Sequence, residues 1–205
     1  MVFFLFLFGF FFSFVGSITP SMLNMTALKI SLENGKTATN KYAIGVSLAV
    51  FPQAYIAILL TKYIAENASI LETLQKIGAV IFLFLAFYFY RESKKGKIQI
   101  ETSKVKKENS FLAGITLSVL NMFAIPFFCG VAATLDAFKL FSFNFIPVLF
   151  FMIGSALGTF YILFLYGKFA KTIQKKTGKL TKDINIVLAI LTALVAILTV
   201  IKLFF

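Results

Sequence analysis

The chain has 205 residues, of which 60% are apolar and 14% charged, and it carries a net charge of +12. Soluble domains are about 45–50% apolar, so this composition excludes an ordinary soluble domain. A single cysteine, Cys129, and the lack of histidine exclude a disulfide framework within the chain and the usual histidine metal centre.

Apolar runs of membrane-spanning length follow one another along the chain. A helix of about 20 apolar residues crosses the roughly 30 Å of bilayer hydrocarbon. The first run lacks the positively charged start of a secretory signal, so we expect it to be retained as a helix. The sequence therefore predicts one all-α integral membrane domain over 1–205. The six runs cover residues 2–33, 38–61, 72–90, 110–135, 144–166 and 184–204.

The first run is interrupted by small and polar residues and by Pro20, which cannot donate the backbone bond of a continuous helix. Thr19 is suited to cap a new helix with Pro20 at its first position. Asn34 and Gly35 are suited to end that helix in a left-handed turn. Pro20 lies about nine residues, or roughly 14 Å, before Lys29, which indicates a break near the bilayer midplane. Such a break is tolerated only where it is buried or lines a wet cavity.

Two similar decapeptides indicate an internal duplication. Residues 18–27 read ITPSMLNMTA and residues 115–124 read ITLSVLNMFA, 97 positions apart. We expect repeat one over about 1–90, a basic connector over 91–109 and repeat two over about 110–205. With three helices in each repeat, the second is inverted, which is typical of secondary transporters with a site between the repeats. Pro126 predicts a kink in the fourth helix, so the first and fourth helices are both expected to be discontinuous.

Basic residues are distributed unequally among the connectors. Those at 24–41, 91–110 and 167–184 hold sixteen of the 20 Lys and Arg residues, and the others hold four. Because cytoplasmic loops are enriched in these residues, we expect both termini outside. We therefore expect a multi-pass membrane protein whose basic connectors are cytoplasmic. Its basic surface faces anionic lipid rather than nucleic acid.

Polar residues within the apolar runs are the candidate solute-binding residues. The amides of Asn24 and Asn121 offer donors and acceptors on opposed helices. The same side chains could instead hydrogen-bond across helices, and the two roles are compatible. Glu33 and Asp136, at the ends of the first and fourth helices, are the nearest acids for proton coupling. The full candidate set is Thr19, Pro20, Ser21, Asn24, Gln53, Thr116, Ser118 and Asn121.

Small residues and tyrosines have more structural interpretations. Gly154 and Gly158 form a GxxxG pattern, and Gly45 with Ala49 forms its analogue in the second run, which predicts close helix packing. Tyrosines near the ends of runs are typical of the aromatic belt at the membrane interface. These tyrosines are Tyr63, Tyr88, Tyr90 and Tyr166.

Several short motifs recur over most of the chain in a pattern typical of one transporter family. They are Gly16 to Pro20, Gly35, Gly45, Lys76 to Ala79, Gly114, Leu120 and Asn121. In these residues the chain resembles the LysE/RhtB family of amino-acid exporters. It departs from the family pattern where Ser21 and Met22 follow Pro20 in place of a Pro-Gly-Pro break, and where Asn121 lacks the following proline. The resemblance implies two inverted triplets of helices and export across the bacterial inner membrane, driven by the proton-motive force.

These observations predict an alternating-access exporter of an amino acid or similar zwitterion. The helix start after Thr19 and Pro20 suits a carboxylate, and the amides and hydroxyls suit the rest of the solute. Alternatives are a facilitator, a membrane scaffold or accessory subunit, and a metal-cation exporter of the same superfamily, for which amides and one thiol are poor ligands. Nothing supplies a nucleophile with its base, so we expect no enzyme activity, cofactor or resident metal. The expected partners are a small solute and the bilayer, and a homo-oligomer is left open.

Overall fold

The structure is a computed structural model that describes residues 2–18, 21–67, 109–121 and 123–175, with isolated positions in 83–91 and 190–197. The chain divides into two compact units, one formed by 1–63 with 100–174 and the other by 64–99 with 175–205. The described positions in 83–91 and 190–197 of the second unit are helical. Most of the predicted runs at 72–90 and 184–204 lies outside the described residues. The packing and the candidate sites described below lie in the first unit.

The described part of the chain is helical and contains no strand. α2 and α5 are long and apolar enough to cross a membrane, and the bent pair α3 and α4 makes a third span if it is counted as one. These helices match the all-α prediction, and the six-helix inverted arrangement remains a prediction. The helices are α1 Val2–Gly16, α2 Met22–Glu66, α3 Ser110–Val119, α4 Ala124–Ala137 and α5 Phe145–Lys168.

The first run is broken between α1 and α2, and we call residues 17–21 the first break. The predicted helix start at Pro20 is two residues too early, because α2 begins at Met22. Ser21 caps it: its hydroxyl accepts from the Asn24 backbone N–H at 3.4 Å, and its carbonyl accepts from Met25 at 2.9 Å. Ser and Thr are both favoured at N-caps, and the proline after Thr19 favoured the earlier of the two hydroxyls. Thr19 and Pro20 themselves lie outside the described residues.

Gly35 divides α2 into a first part, 22–34, and a second part, 36–66. Its φ of 82° is positive, as predicted, but its ψ of 176° is extended rather than left-handed helical. Glycine alone adopts this region readily. The Tyr42 hydroxyl donates to the Leu23 carbonyl at 3.2 Å. In a straight helix these residues would be roughly 28 Å apart, so the two parts of α2 fold back on each other at Gly35.

The fourth predicted run is interrupted at residues 120–123, which we call the second break. Pro126 lies in the first turn of α4. Proline is tolerated there but excludes a continuous helix through the preceding turn, which explains why the chain bends before Pro126 rather than at it.

α4 ends in a Schellman motif without glycine. Lys139 has a φ of 56°, its N–H donates to Asp136 O at 2.8 Å, and the Leu140 N–H donates to Leu135 O at 2.8 Å. The left-handed conformation costs a residue with a Cβ about 1–2 kcal/mol. The sequence contains no Gly or Asn at this position, so it gave no signal for this helix end.

The variant Lys139→Gly is expected to stabilise the protein by about 1 kcal/mol, because glycine adopts the left-handed conformation without the Cβ clash. Thermal unfolding in detergent measures the effect. Lys139→Ala is the control, since it removes the same charge and keeps the Cβ. An equal rise in unfolding temperature for both variants would mean that loss of the charge, not of the Cβ, is responsible.

Glycines bring α1 and α5 into backbone contact, as the GxxxG pattern predicted. A Cβ on Gly154 would overlap the Phe6 carbonyl oxygen, and one on Gly158 would overlap that of Phe10. A Cβ on Gly9 would likewise overlap the Phe151 carbonyl oxygen. The contacts advance in the same direction along both helices, so α1 and α5 run parallel. No larger residue fits at these glycines without separating the helices.

The same arrangement joins α3 to the second part of α2. A Cβ on Gly114 would overlap the Tyr42 carbonyl oxygen, and one on Gly45 would overlap that of Phe111. Each contacting carbonyl belongs to the residue three positions before the opposing glycine, as it does for Gly9 and Gly154. One packing geometry therefore occurs twice in the molecule.

Candidate functional site

Side chains donate hydrogen bonds to the backbone carbonyl groups of the first break. The Asn24 amide donates to Ser17 O at 2.6 Å, and the Tyr166 hydroxyl donates to Ile18 O at 2.6 Å. Asn24 is 1% exposed and Tyr166 is 7% exposed. Carbonyls left by a broken helix inside a membrane must find donors within the protein. Asn24 and Tyr166 supply these donors, and they come from α2 and α5.

Tyr166 is the residue that the sequence interpretation missed. It was expected in the interfacial aromatic belt, but it is buried and hydrogen-bonded to the first break. Its hydroxyl was the available signal, because a tyrosine in an apolar run can donate a hydrogen bond where phenylalanine cannot.

Hydrogen bonds of Asn121 to neighbouring residues fix the backbone of the second break. Its N–H donates to Ser118 O at 3.0 Å, and its Oδ1 accepts from the Phe123 N–H at 3.3 Å. The side chain is half-buried. Asn121 therefore turns the backbone from α3 toward α4. Thr116, one turn earlier, is exposed.

The second part of α2 is hydrogen-bonded to the chain on both sides of the second break. Before the break, Gln53 Nε2 donates to Ser118 O at 2.8 Å, and Ser118 Oγ lies 3.5 Å from Gln53 Oε1. Both side chains are buried. After the break, Thr61 Oγ1 lies 3.4 Å from Cys129 O, and Cys129 Sγ lies 3.3 Å from Ala57 O. These contacts also advance together along the chain, so α2's second part runs parallel to α3 and α4.

A matching contact precedes the first break. Ser13 Oγ and Thr159 Oγ1 are 2.7 Å apart and buried. Ser13 lies four residues after Gly9, as Ser118 lies four residues after Gly114. Each Gly-x-x-x-Ser sequence packs its glycine against a facing helix and bonds its serine to that helix.

The end of α1 and the start of α4, which adjoin the two breaks, approach each other through Gly16 and Phe127. Gly16 ends α1, and Phe127 lies in the first turn of α4. A Cβ on Gly16 would overlap the tip of the Phe127 ring. The absence of a side chain at Gly16 is what admits the ring.

The predicted site residues thus form two groups. Ser21 and Asn24 lie at the first break, and Gln53, Ser118 and Asn121 lie at the second. Thr116 belongs to neither group by contact, and Thr19 and Pro20 lie outside the described residues.

The predicted coupling acids lie away from both groups. Glu33 is exposed nine residues beyond Asn24, roughly 14 Å along the helix. Asp136 is half-buried in the last turn of α4. Within the described residues, no group of three His, Cys, Asp or Glu side chains stands together as a metal site.

A groove of about 380 Å³ lies between α2 and α5, and its lining is apolar apart from Ser47. None of the predicted binding residues lines it. Its lining residues are Ile44, Ser47, Leu48, Phe51, Ala156, Leu157 and Phe160.

Comparison with curated proteins and with solved structures finds no significant match for this chain. The model of one family, the LysE type translocators, matches residues 3–203, almost the whole chain. That family consists of transporters that export amino acids or related solutes. The broken helices described above agree with such a protein. This chain belongs to the LysE type translocator family.

Proposed function

We propose that the protein exports an amino acid or similar small zwitterion across the cytoplasmic membrane by alternating access. The contact between Gly16 at the end of α1 and Phe127 near the start of α4, the helix ends beside the two breaks, is the observation that supports this proposal most directly. Broken helices near the midplane are where secondary transporters bind their solutes. The solute then sits between the first and second breaks.

The duplicated packing supports an inverted repeat. α1 pairs in parallel with α5, and α3 pairs in parallel with the second part of α2, through the same glycine and carbonyl geometry. A two-fold axis in the membrane plane would relate these pairs. The fold at Gly35 reverses the chain between the two parts of α2, as successive membrane crossings require. With the basic connectors inside, the N-terminus lies outside.

The first break offers groups for both ends of a zwitterion. The first turn of α2 presents backbone N–H groups beside the exposed Ser21, and a helix N-terminus favours a carboxylate. The Ser17 carbonyl, now bonded to Asn24, is an acceptor for the solute's ammonium group. If the solute's ammonium group replaces the Asn24 amide as the donor to the Ser17 carbonyl, the first break opens and this carbonyl keeps a hydrogen-bond partner. Asn121 and Ser118 contribute the corresponding groups at the second break.

Reconstitution into liposomes with labelled amino acids, with and without an imposed pH gradient, tests this function. We expect uptake of at least one amino acid that increases with the gradient. Uptake indifferent to the gradient would identify a facilitator and remove Glu33 and Asp136 as coupling groups. Failure to transport any solute in the panel would favour the scaffold alternative.

The variant Asn121→Leu is expected to abolish transport while expression stays intact, because leucine can neither accept from Phe123 nor bond a solute. Asn121→Ser separates these roles. Its hydroxyl still accepts from a backbone N–H two residues on, but it is too short to reach a solute. Asn144→Leu is the control, since Asn144 is exposed at the start of α5 and makes no side-chain cap. If Asn121→Ser transports normally, Asn121 shapes the backbone and does not bind solute.

A further inference from the structure

A pocket of about 340 Å³ lies where the Gly35 fold of α2 meets the end of α5, apart from both breaks. The Ser31 hydroxyl donates to Gly167 O at 2.7 Å and ties these two elements together. A smaller cavity of about 130 Å³ shares Lys36, Gly167 and Lys168 with it. The pocket and the smaller cavity therefore adjoin each other at the contact between α2 and α5.

Lysine side chains supply all the charge in this pocket. Lys36, Lys168 and Lys171 line it, and no carboxylate side chain does. All three are exposed, and none pairs with a carboxylate in the part of the chain that the structure describes. Three like charges around one cavity attract an anion. The partial negative charge of the carbonyls at the C-terminal end of α5 partly neutralises the Lys168 ammonium. It does not neutralise Lys36 or Lys171.

Apolar side chains line the same pocket. Leu32 is 36% exposed and Phe169 is 49% exposed, each within four residues of a pocket lysine. The Phe169 ring already faces the Lys168 ammonium at 5.5 Å, but the apolar surface of Leu32 and Phe169 would not contact a free inorganic anion. A ligand that carries an anionic group and a hydrocarbon chain would contact both kinds of lining.

A membrane-spanning α5 would place the pocket at the depth of lipid headgroups. Lys168 is the last residue of α5, whose 24 residues are long and apolar enough to cross the membrane. That length is roughly 36 Å, slightly more than the hydrocarbon thickness. The ammonium groups of the pocket therefore face the phosphate layer of one leaflet, the inner leaflet in the proposed topology.

We propose that this pocket binds the phosphate headgroup of an anionic phospholipid, with its acyl chains along Leu32 and Phe169. The lipid would join the fold at Gly35 to the end of α5 and so stabilise the arrangement of these elements. This inference goes beyond solute export and does not depend on it.

Native mass spectrometry of the full chain in detergent tests the proposal, with phosphatidylglycerol and phosphatidylcholine of identical acyl chains as probes. We expect phosphatidylglycerol to bind more tightly. The triple variant Lys36→Gln, Lys168→Gln and Lys171→Gln should bind it roughly a hundredfold more weakly, since each lysine near an anionic lipid contributes about a factor of five. The matched control changes Lys41, Lys139 and Lys175 to Gln, which removes the same charge from exposed positions outside the pocket.

Each outcome decides the proposal. Selective loss in the pocket variant, with the control unchanged, supports it. Equal loss in both triple variants would mean that total charge and not the pocket attracts the lipid. Full displacement of phosphatidylglycerol by millimolar inorganic phosphate would indicate a small-anion site and overturn the lipid assignment. If the pocket variant fails to fold, the single variant Lys171→Gln, whose residue lies beyond the end of α5, provides the comparison.

Discussion

The variant Gly154→Val is expected to prevent stable folding, with a loss of more than about 3 kcal/mol. A Cβ at this position overlaps the Phe6 carbonyl oxygen and lies close to the Phe10 backbone N. Neither neighbour is a flexible side-chain end that could move aside. α1 and α5 must therefore separate, and close packing of small residues is what holds helices together in lipid. The yield of monodisperse protein and its unfolding temperature in detergent measure the effect.

Variants at two further glycines test whether the effect of Gly154→Val comes from the backbone contact. Gly45→Val should be about as damaging, because Gly45 makes the same kind of contact with Phe111. Gly130→Val should be close to neutral, because Gly130 is exposed in α4 and a Cβ there meets no atom within 4 Å. Unfolding of Gly154→Val at the wild-type temperature would show that α1 and α5 are not in backbone contact.

The variant Gly16→Leu is expected to destabilise the protein moderately, because the tip of the 37% exposed Phe127 ring can shift in part, and to be rescued by Phe127→Ala. Leucine at Gly16 would occupy the space of the Phe127 ring, and alanine at 127 would empty that space. We expect a favourable coupling of about 1–3 kcal/mol in the double-mutant cycle, as for residues in direct contact. Unfolding temperatures of the wild type, the two single variants and the double variant give the coupling. Transport in liposomes shows whether the double variant still functions.

Phe123→Ala is the control for this cycle. Phe123 precedes α4 and is 68% exposed, so its removal creates no space for a leucine at Gly16. Rescue by Phe123→Ala to the same extent would indicate a general effect of removing bulk. Additive effects of Gly16→Leu and Phe127→Ala would mean that the two breaks are apart, and the proposed solute position between them would have to be abandoned.

The register of the duplication illustrates what local sequence similarity can and cannot give. The similar decapeptides are 97 positions apart, but the contacts match Gly9 with Gly114 and Ser13 with Ser118, both 105 positions apart. As a result Asn24 lies beyond the first break, on α2, while Asn121 lies within the second. Backbone contact requires a small residue opposite a carbonyl, and this constraint fixes equivalent positions more firmly than a shared Leu-Asn-Met sequence.

The hydrogen-bond partners of the candidate residues show the same limit. Gln53 stood out in the sequence as a lone amide in an apolar run, and nothing nearby in the chain indicated Ser118 as its partner. Tyr166 could be assigned to the membrane interface as reasonably as to the first break. Their roles depend on neighbours more than 60 positions away, which no local pattern encodes.

The sequence by itself predicted an all-helical membrane protein, with a break before Pro20, a kink at Pro126 and a helix end at Gly35, and its match over residues 3–203 shows the LysE type translocator family. The structure starts α2 at Met22, interrupts the fourth run at 120–123 and reverses the chain at Gly35. Hydrophobic length, proline and glycine impose these features locally, through backbone hydrogen bonding and allowed dihedral angles. Only the tertiary structure decided that Ser21 caps α2, that Asn24 and Tyr166 close the first break, and that Phe127 contacts Gly16. A broken backbone in lipid must find its donors somewhere in the protein, and which side chains provide them depends on how distant helices pack.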